Sequence, residues 1–288
     1  MKKRVLVLGA DGMLGHQLFL GLRGNFDVVG SVRSEKPEAL AQRLFEATNT
    51  VFGRDMASEG VLLRTLDEVA PQIVVNAVGI VKQRPISTDV LQSLELNALL
   101  PHRLARACGE RGIRLVHMST DCVFAGTRGG YAENDTPDAN DTYGRTKLLG
   151  EVTGEGCLTL RTSIIGLELA RFRSLIEWFL RQRGRVPGYR RAIFSGLTTA
   201  ELTRVISALL TDHSQMSGLY HVASAPISKF ELLQKFARMA ALPVDLVPDD
   251  SVVVDRSLDG SRFAHVTGYD VPSWDAMLSE LAGDLRAR

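Results

Sequence analysis

The first fifteen residues carry the feature that most constrains how this chain of 288 residues can fold. The apolar run Val5-Leu6-Val7-Leu8 leads directly into three glycines, Gly9, Gly12 and Gly15, and leucines then recur at helical spacing. This order predicts a buried strand, a tight turn and a helix. Glycines let the backbone approach a pyrophosphate, and the amides that begin the helix offer it hydrogen bonds and a positive dipole. The predicted dinucleotide contacts are Gly9, Asp11, Gly12, Met13, Leu14 and Gly15.

The same alternation of strand and helix continues along the chain. Apolar runs predict strands at residues 26–32, 51–55, 73–79 and 113–118, and helical spacing predicts helices at 59–69, 88–108 and around residue 143. Such alternation favours an α/β fold of Rossmann type, a doubly wound parallel sheet whose ligands bind at the carboxyl ends of the strands. The rhythm loosens after Ser163, which predicts a smaller C-terminal substrate-binding lobe. We assign residues 1–163 and 193–223 to an NADP-binding domain, and 164–192 and 224–288 to the lobe.

The end of the second predicted strand bears on the choice of cofactor. NAD-binding folds of this type usually carry an acidic residue there, whereas this chain has Arg33. Because a guanidinium can pair with a 2′-phosphate, we predict NADP(H), with NAD(H) as the alternative. Asp55 is expected to contact adenine, and the small-residue loop Ala77-Val78-Gly79 lets a flat ring approach the backbone.

The stretch Tyr143-Gly144-Arg145-Thr146-Lys147 places a phenol and an ammonium four residues apart, on one face of a helix. A free tyrosine has a pKa near ~10, and a neighbouring ammonium lowers that pKa by favouring the phenolate. Tyr143 can then exchange a proton with a carbonyl oxygen. Thr120 ends the preceding strand and can give that oxygen a second hydrogen bond. Tyr-x-x-x-Lys also occurs in ordinary surface helices, so the rest of the chain decides its meaning.

Taken together, these motifs resemble the extended short-chain dehydrogenase/reductase family, and within it the dTDP-4-dehydrorhamnose reductase group. The resemblance rests on the glycine spacing, on Ser119-Thr120-Asp121-x-Val123-Phe124-x-Gly126, on Tyr143-x-x-x-Lys147 and on Leu160-Arg161-Thr162-Ser163. It implies that Thr120, Tyr143 and Lys147 are catalytic and that Lys147 also binds the nicotinamide ribose. The implied reaction is NADPH-dependent reduction of the 4-keto group of a nucleotide-diphospho-4-keto-6-deoxyhexose, which feeds the synthesis of cell-surface polysaccharide sugars.

One departure from that group keeps alternatives open. Cys122 stands where an aromatic residue is usual, and where the related GDP-fucose synthases carry an acid/base cysteine. An epimerase, or a bifunctional epimerase and reductase, would use a Cys122 thiol with a lowered pKa. A non-catalytic NADP-binding regulatory subunit is the other alternative. Asp121 and Cys122 are therefore candidate substrate residues.

A diphosphate substrate also needs cations. Residues 171–191 hold seven arginines and one acid, Glu177. Lys82 and Arg190 are the candidate substrate cations. Net charge is only +1, from 34 basic and 33 acidic residues, so no global field would recruit nucleic acid and we expect no nucleic-acid partner.

The remaining sequence features concern compartment and assembly. The three cysteines form no Cys-x-x-Cys pair, which predicts a reduced, cytoplasmic protein without a metal site. No apolar run approaches the ~18 residues of a membrane span, so we expect no membrane partner. The helix at 88–108 is apolar on more than one face. Burial against the sheet explains this, and a homodimer contact is the alternative.

Overall fold

A computed structural model describes residues 1–35, 44–80, 89–170 and 172–288. The strands are β1 (Arg4–Leu8), β2 (Asp27–Ser31), β3 (Thr50–Val51), β4 (Ile73–Asn76), β5 (Arg114–Thr120), β6 (Cys157–Thr162), β7 (Ile164–Ile165), β8 (Gly184–Tyr189), β9 (Ala192–Phe194), β10 (Leu197–Thr198), β11 (Gly218–His221), β12 (Ile227–Ser228), β13 (Val244–Asp249) and β14 (Val254–Asp255). The helices are α1 (Met13–Gly21), α2 (Glu59–Val69), α3 (Val90–Ser93), α4 (Leu100–Gly109), α5 (Thr142–Leu149), α6 (Leu175–Leu180), α7 (Thr199–Thr211), α8 (Lys229–Met239), α9 (Ser261–Thr267) and α10 (Trp274–Ala287).

The central sheet confirms the predicted doubly wound topology. In the described residues it has seven strands in the order β11-β6-β5-β4-β1-β2-β3, and every neighbouring pair is parallel. The chain builds outward from β1 to β3, then returns to the other side of β1 and builds outward again. The direction of winding therefore reverses between β1 and β4, and a crevice opens there at the carboxyl ends of the strands.

Strand β1 shows why an unbroken apolar run suits this fold. Val5, Leu6, Val7 and Leu8 are all fully buried, because both faces of a parallel sheet are covered by helices. Val5 and Val7 belong to a core that includes residues of α1 and α7, whereas Leu6 and Leu8 belong to a core with residues of α2 and α4. Alternate side chains of β1 therefore pack against two separate layers of helices, one on each face of the sheet.

The helix predicted at 88–108 begins at Val90 in the described part of the chain, and its predicted start at Thr88 lies outside that part. A π-helical segment, Leu94–Leu99, joins α3 to α4. Asn97, at its centre, is fully buried. Its side chain accepts a hydrogen bond from the Ile80 amide at 2.9 Å and donates to the Ile80 carbonyl at 3.1 Å and to Thr146 Oγ1 at 3.3 Å. These bonds satisfy the buried amide of Asn97 and tie the helix to α5.

The C-terminal region adds smaller sheets beside the central one. Strand β9 pairs with β12 and β14, and β13 pairs with β8. Trp274 anchors the core of this region, because it is buried against Phe194 and its Nε1 donates to the Ala225 carbonyl at 2.7 Å. The domain boundaries remain a prediction, and β9, whose last two residues were assigned to the cofactor domain, pairs outside the central sheet. Among the described helices, none is both long and apolar enough to cross a membrane.

Candidate active site

The glycine turn after β1 forms a cradle of the kind that a pyrophosphate needs. Gly9 has a left-handed backbone, with φ of +74°, and its carbonyl accepts a hydrogen bond from the Gly12 amide at 2.9 Å. A Cβ on Gly15 would lie 2.0 Å from the Gly9 carbonyl oxygen. Helix α1 can therefore begin this close to β1 only with glycine at both positions. The first residues of α1, Met13 and Leu14, line the crevice, and amides in the first turn of a helix have no partner within the helix.

A cavity of about 620 Å³ occupies the crevice between the carboxyl ends of the central strands and the C-terminal region. Most of the sequence-predicted cofactor residues line it. These are Gly9, Asp11, Gly12, Met13, Leu14, Arg33, Asp55, Ala77, Val78, Gly79, Tyr143 and Lys147. Gly15 is not among the lining residues, because it packs behind them against Gly9. The structure thus gathers at one site residues that are more than 130 positions apart in the sequence.

One end of the cavity is cationic in the manner predicted for the adenosine end of the cofactor. Arg33 follows the end of β2 and has an exposed side chain, and no carboxylate in the described part of the chain pairs with it. The neighbouring Arg54 is paired with Glu68 at 2.6 Å, which leaves it less available to an anion. Arg33 is therefore the better placed of the two guanidinium groups to accept a phosphate.

The predicted catalytic residues converge at the middle of the cavity. Thr120 is the last residue of β5, so the strand extends two residues beyond its predicted end. Asp141 caps α5 by accepting the Gly144 amide at 2.8 Å, which fixes the start of the helix that carries Tyr143. A Cβ on Gly144 would lie 2.1 Å from the Cys122 carbonyl oxygen, so α5 packs directly on the turn after Thr120. Lys147 is buried, and its Nζ donates to the Met118 carbonyl at 2.5 Å.

The electrostatics of the Tyr143 phenol differ from the sequence prediction. Burial raises its pKa, and the nearby Cys122 side chain raises it further, whereas hydrogen bonding with the Thr120 hydroxyl lowers it. Lys147 directs its ammonium at the Met118 carbonyl, and burial lowers the pKa of this lysine to about 8. The prediction that Lys147 brings the phenol pKa down is therefore wrong for this structure, because burial raises this pKa more than the Thr120 hydrogen bond lowers it. Tyr143 is protonated at neutral pH.

The turn after Thr120 holds both Asp121 and Cys122. Thr120 Oγ1 accepts the Cys122 amide at 3.1 Å and donates to Asp121 Oδ1 at 3.0 Å. Burial raises the pKa of the Asp121 carboxyl, and burial followed by the Asp121 charge raises the pKa of the Cys122 thiol to about 12. Acid/base chemistry by Cys122 requires a shift in the opposite direction. The structure therefore favours a neutral, space-filling thiol.

The cations that face the substrate end of the cavity are not the predicted ones. Arg190 forms an ion pair with Asp250, with Nε 2.9 Å from Oδ1, and it is not among the residues that line the cavity. Lys82 lies outside the described residues. Arg173, Lys229 and Arg256 line the cavity instead.

A sequence pattern indicates only one of those three cations. Arg173 belongs to the arginine-rich run, whereas no local motif marks Lys229 or Arg256. Arg256 is held in place by its Nε, which donates to the Phe124 carbonyl at 2.9 Å. Within the residues that the structure describes, no cluster of three His, Cys, Asp or Glu side chains has the geometry of a metal site.

A parallel sheet with a glycine turn after its first strand, and with Thr120, Tyr143 and Lys147 at the carboxyl ends of its strands, defines the extended short-chain dehydrogenase/reductase class. The model of one family in this class, described as the RmlD substrate binding domain, matches residues 3–285. The chain belongs to that family.

Individual relatives agree with this assignment. The dTDP-4-dehydrorhamnose reductase of Burkholderia thailandensis is 30% identical over 77% of this chain and 73% of its own length. The structure of a dTDP-4-dehydrorhamnose reductase from Bacillus anthracis in complex with NADP superimposes with a TM-score of 0.80 over 99% of both chains at 24% identity, which shows the shared fold. Methionine adenosyltransferase 2 subunit beta from Rattus norvegicus is 31% identical over 52% of this chain, which covers 42% of that protein.

Proposed function

We propose that the protein uses NADPH to reduce the 4-keto group of a nucleotide-diphospho-4-keto-6-deoxyhexose, as a cytoplasmic enzyme in the supply of cell-surface sugars. The observation that carries the proposal is the single cavity that joins the glycine turn, the Thr120, Tyr143 and Lys147 set, and the cations of the C-terminal region. The relative from Burkholderia thailandensis, named a dTDP-4-dehydrorhamnose reductase, supports this choice of substrate. Oxidation of NADPH on addition of a dTDP-linked 4-keto-6-deoxy sugar tests it.

The residues that surround the cavity fit a dinucleotide cofactor. The space left by Gly9 and Gly15 and the first amides of α1 suit the pyrophosphate, Arg33 suits a 2′-phosphate, and Lys147 suits the nicotinamide ribose. The similar structure from Bacillus anthracis was solved with NADP, which supports the same choice. When bound, NADPH supplies the hydride.

The protein's own part in the reaction is to hold the ketone and deliver a proton. Because burial keeps Tyr143 protonated, its phenol can donate to the carbonyl oxygen in the direction of reduction. The Thr120 hydroxyl, which donates to Asp121 in this structure, gives the second hydrogen bond once it turns toward that oxygen. The Lys147 ammonium then stabilises the phenolate that remains.

Removing Arg33 should change the choice of cofactor. We expect Arg33→Ala to weaken NADPH binding by about 1–3 kcal/mol, the scale of hydrogen bonds to a charged group, and to leave NADH binding unchanged. Titration of intrinsic fluorescence with each cofactor measures both affinities. Arg106→Ala, at a surface arginine paired with Glu59, is the matched control. Equal weakening of NADPH and NADH by Arg33→Ala would remove Arg33 from the 2′-phosphate site.

The substrate diphosphate is proposed to bind Lys229 and Arg256, not the predicted Arg190. We expect Lys229→Met to raise KM for the nucleotide sugar about 10-fold or more with kcat little changed, because a charge-assisted contact to the bound substrate is lost. Arg190→Met serves as the control, since its guanidinium is already paired with Asp250. Steady-state kinetics on both variants measures the effect. A larger rise in KM for Arg190→Met than for Lys229→Met would reverse the assignment.

The epimerase alternative makes a different prediction for solvent exchange. Because burial holds the Cys122 thiol neutral, we expect no deuterium on the carbons next to the 4-keto group when enzyme, NADPH and substrate react in deuterated water. Mass spectrometry of the product measures the label, and Cys122→Ser should keep near-native turnover. Carbon-bound deuterium that disappears in Cys122→Ser would establish Cys122 as an acid/base in spite of its environment.

A role as a non-catalytic regulatory subunit is the other alternative. The match to the adenosyltransferase subunit motivates the regulatory alternative, but it covers half of this chain, and both Tyr143 and Lys147 are present here.

Four large apolar side chains are exposed around α3, α4 and α5: Val90, Leu91, Leu99 and Leu149. We propose that this face forms a homodimer, which sedimentation equilibrium tests.

A further inference from the structure

A row of buried polar residues crosses the sheet immediately behind the catalytic centre. Ser119 of β5, Arg161 of β6 and His221 of β11 are register partners across neighbouring strands, and all three are buried. Ser119 directly precedes Thr120, so the position of this row sets the position of the catalytic hydroxyl. Most buried polar groups in proteins are hydrogen-bonded, and the side chains of all three of these residues have partners.

Two of the three residues, Ser119 and Arg161, share Glu151 as a hydrogen-bond partner. Glu151 lies two residues after the end of the helix α5, which carries Tyr143 and Lys147. Glu151 Oε1 accepts Ser119 Oγ at 2.6 Å and Arg161 Nε at 2.7 Å, and its Oε2 accepts Arg161 Nη2 at 2.7 Å. The pair is bidentate, and side-chain exposure is 4% for Arg161 and 8% for Glu151. One carboxylate thus joins the end of β5 to the end of α5.

The same network reaches the segment between Thr120 and Tyr143. Arg161 Nη1 lies 3.2 Å from His221 Nε2, and the guanidinium packs over the Phe124 ring. A guanidinium is only a donor, so His221 Nε2 accepts and Nδ1 donates to the Tyr131 carbonyl at 2.9 Å. The buried ion pair is therefore bonded to the residue that precedes Thr120. Through His221 it also reaches Tyr131, in the segment that leads to Tyr143.

Glu151 also supplies charge to the site. Burial lowers the pKa of Lys147, and the Glu151 carboxylate is the group in the described residues that raises it. The other titratable groups around this lysine are Tyr143 on its own helix and His117 on β5, whose own pKa is lowered by burial and then by the Lys147 charge. Arg161 acts on the lysine only through Glu151.

We propose that Glu151, clamped by Arg161, is a positioning residue that holds the Thr120 end of β5 against α5 and provides the counter-charge for the buried Lys147 ammonium. The positioning role rests on the proposed function, because it is measured as an effect on kcat. A purely structural ion pair would change stability alone. The positioning role and a purely structural role can be separated by two variants that lower the free energy of unfolding by similar amounts but lie at different distances from the site.

The first experiment compares Ser119→Ala with Thr159→Val. Thr159 lies on β6 two residues before Arg161, and its Oγ1 donates to the Val152 carbonyl at 2.6 Å. It therefore fastens the segment that follows α5 without a hydrogen bond to Glu151. We expect Ser119→Ala to lower kcat about 10-fold with KM and NADPH affinity retained, because small displacements of a catalytic group are costly. We expect Thr159→Val to lower the melting temperature but change kcat less than about 2-fold. Equal kcat for the two variants would overturn the geometric role.

The second experiment needs neither substrate nor cofactor. In protein labelled with ¹³C-lysine, the signal that disappears in Lys147→Arg should titrate near pH 8. In Glu151→Gln we expect it to titrate about one pH unit lower, because the counter-charge is gone. If that variant does not fold, Glu151→Asp keeps a charge for Arg161 and should shift the midpoint in the same direction by less. An unchanged midpoint in the folded variant would overturn the electrostatic role, even if the wild type proves to have no reductase activity.

Discussion

Tyr143→Phe is expected to lower turnover by about 10²-fold or more while fold and NADPH affinity stay unchanged. The reason is that phenylalanine keeps the ring and loses only the phenolic proton that the carbonyl oxygen receives. Tyr143 stands beside the Thr120 hydroxyl in the cavity, and burial keeps its proton in place at neutral pH. Rates of NADPH oxidation at saturating substrate, together with cofactor titration and thermal melting, measure the three quantities.

A matched control shows whether the loss is specific to the site. Tyr269 is also a half-buried tyrosine, but its phenol donates to Glu201 at 2.8 Å and it is absent from the residues that line the cavity. Tyr269→Phe should keep native turnover. If Tyr143→Phe turned over at a comparable rate to Tyr269→Phe, Tyr143 would not be the proton donor.

Lys147→Met is expected to reduce both NADPH affinity and turnover, because it removes a proposed ribose contact and the charge next to the phenol together. Each loss should be about 10-fold or more, the scale of a charge-assisted hydrogen bond. Since burial lowers the pKa of Lys147 to about 8, the amine is charged below that pH and neutral above it. Wild-type affinity for NADPH should accordingly fall as pH rises through 8, and the step should be missing in Lys147→Met.

The control for this prediction is Lys235→Met, at a lysine paired with Asp275 on the surface. It should bind NADPH as the wild type does and keep the step near pH 8. An NADPH affinity in Lys147→Met that still fell through the same pH would show that another group controls the step.

The central sheet was predictable because its signals are local. The helix at Glu59–Val69 was found at its predicted bounds, since its apolar residues recur at helical spacing and Pro71 follows its end. The glycine turn after β1 was equally readable, because the space that Gly9 and Gly15 leave is a property of the backbone. Other elements departed from the prediction. Thr120 proved to be the last residue of β5, the strand predicted at 51–55 is only Thr50–Val51, and a π-helical segment divides the helix predicted at 88–108.

The substrate end was not predictable, because contacts between distant residues decide it. Arg190 was a reasonable candidate from the arginine run, yet it pairs with Asp250, 60 positions later. Lys229 and Arg256 reach the cavity through the packing of α8 and β14, which no local spacing reports. The prediction of a lowered pKa for Tyr143 was wrong for the same reason, since the burial of a side chain depends on the whole fold.

Transfer of deuterium from labelled cofactor tests the central claim most directly. NADPH deuterated at both C4 positions would be incubated with enzyme and a dTDP-linked 4-keto-6-deoxy sugar, and the product analysed by NMR and mass spectrometry. The account predicts a single deuterium at C4 of the sugar. In Tyr143→Phe, the rate at which this label appears should fall by the same factor as turnover. An isomerised sugar without cofactor oxidation, or binding of NADPH with no chemical change in any such sugar, would contradict it.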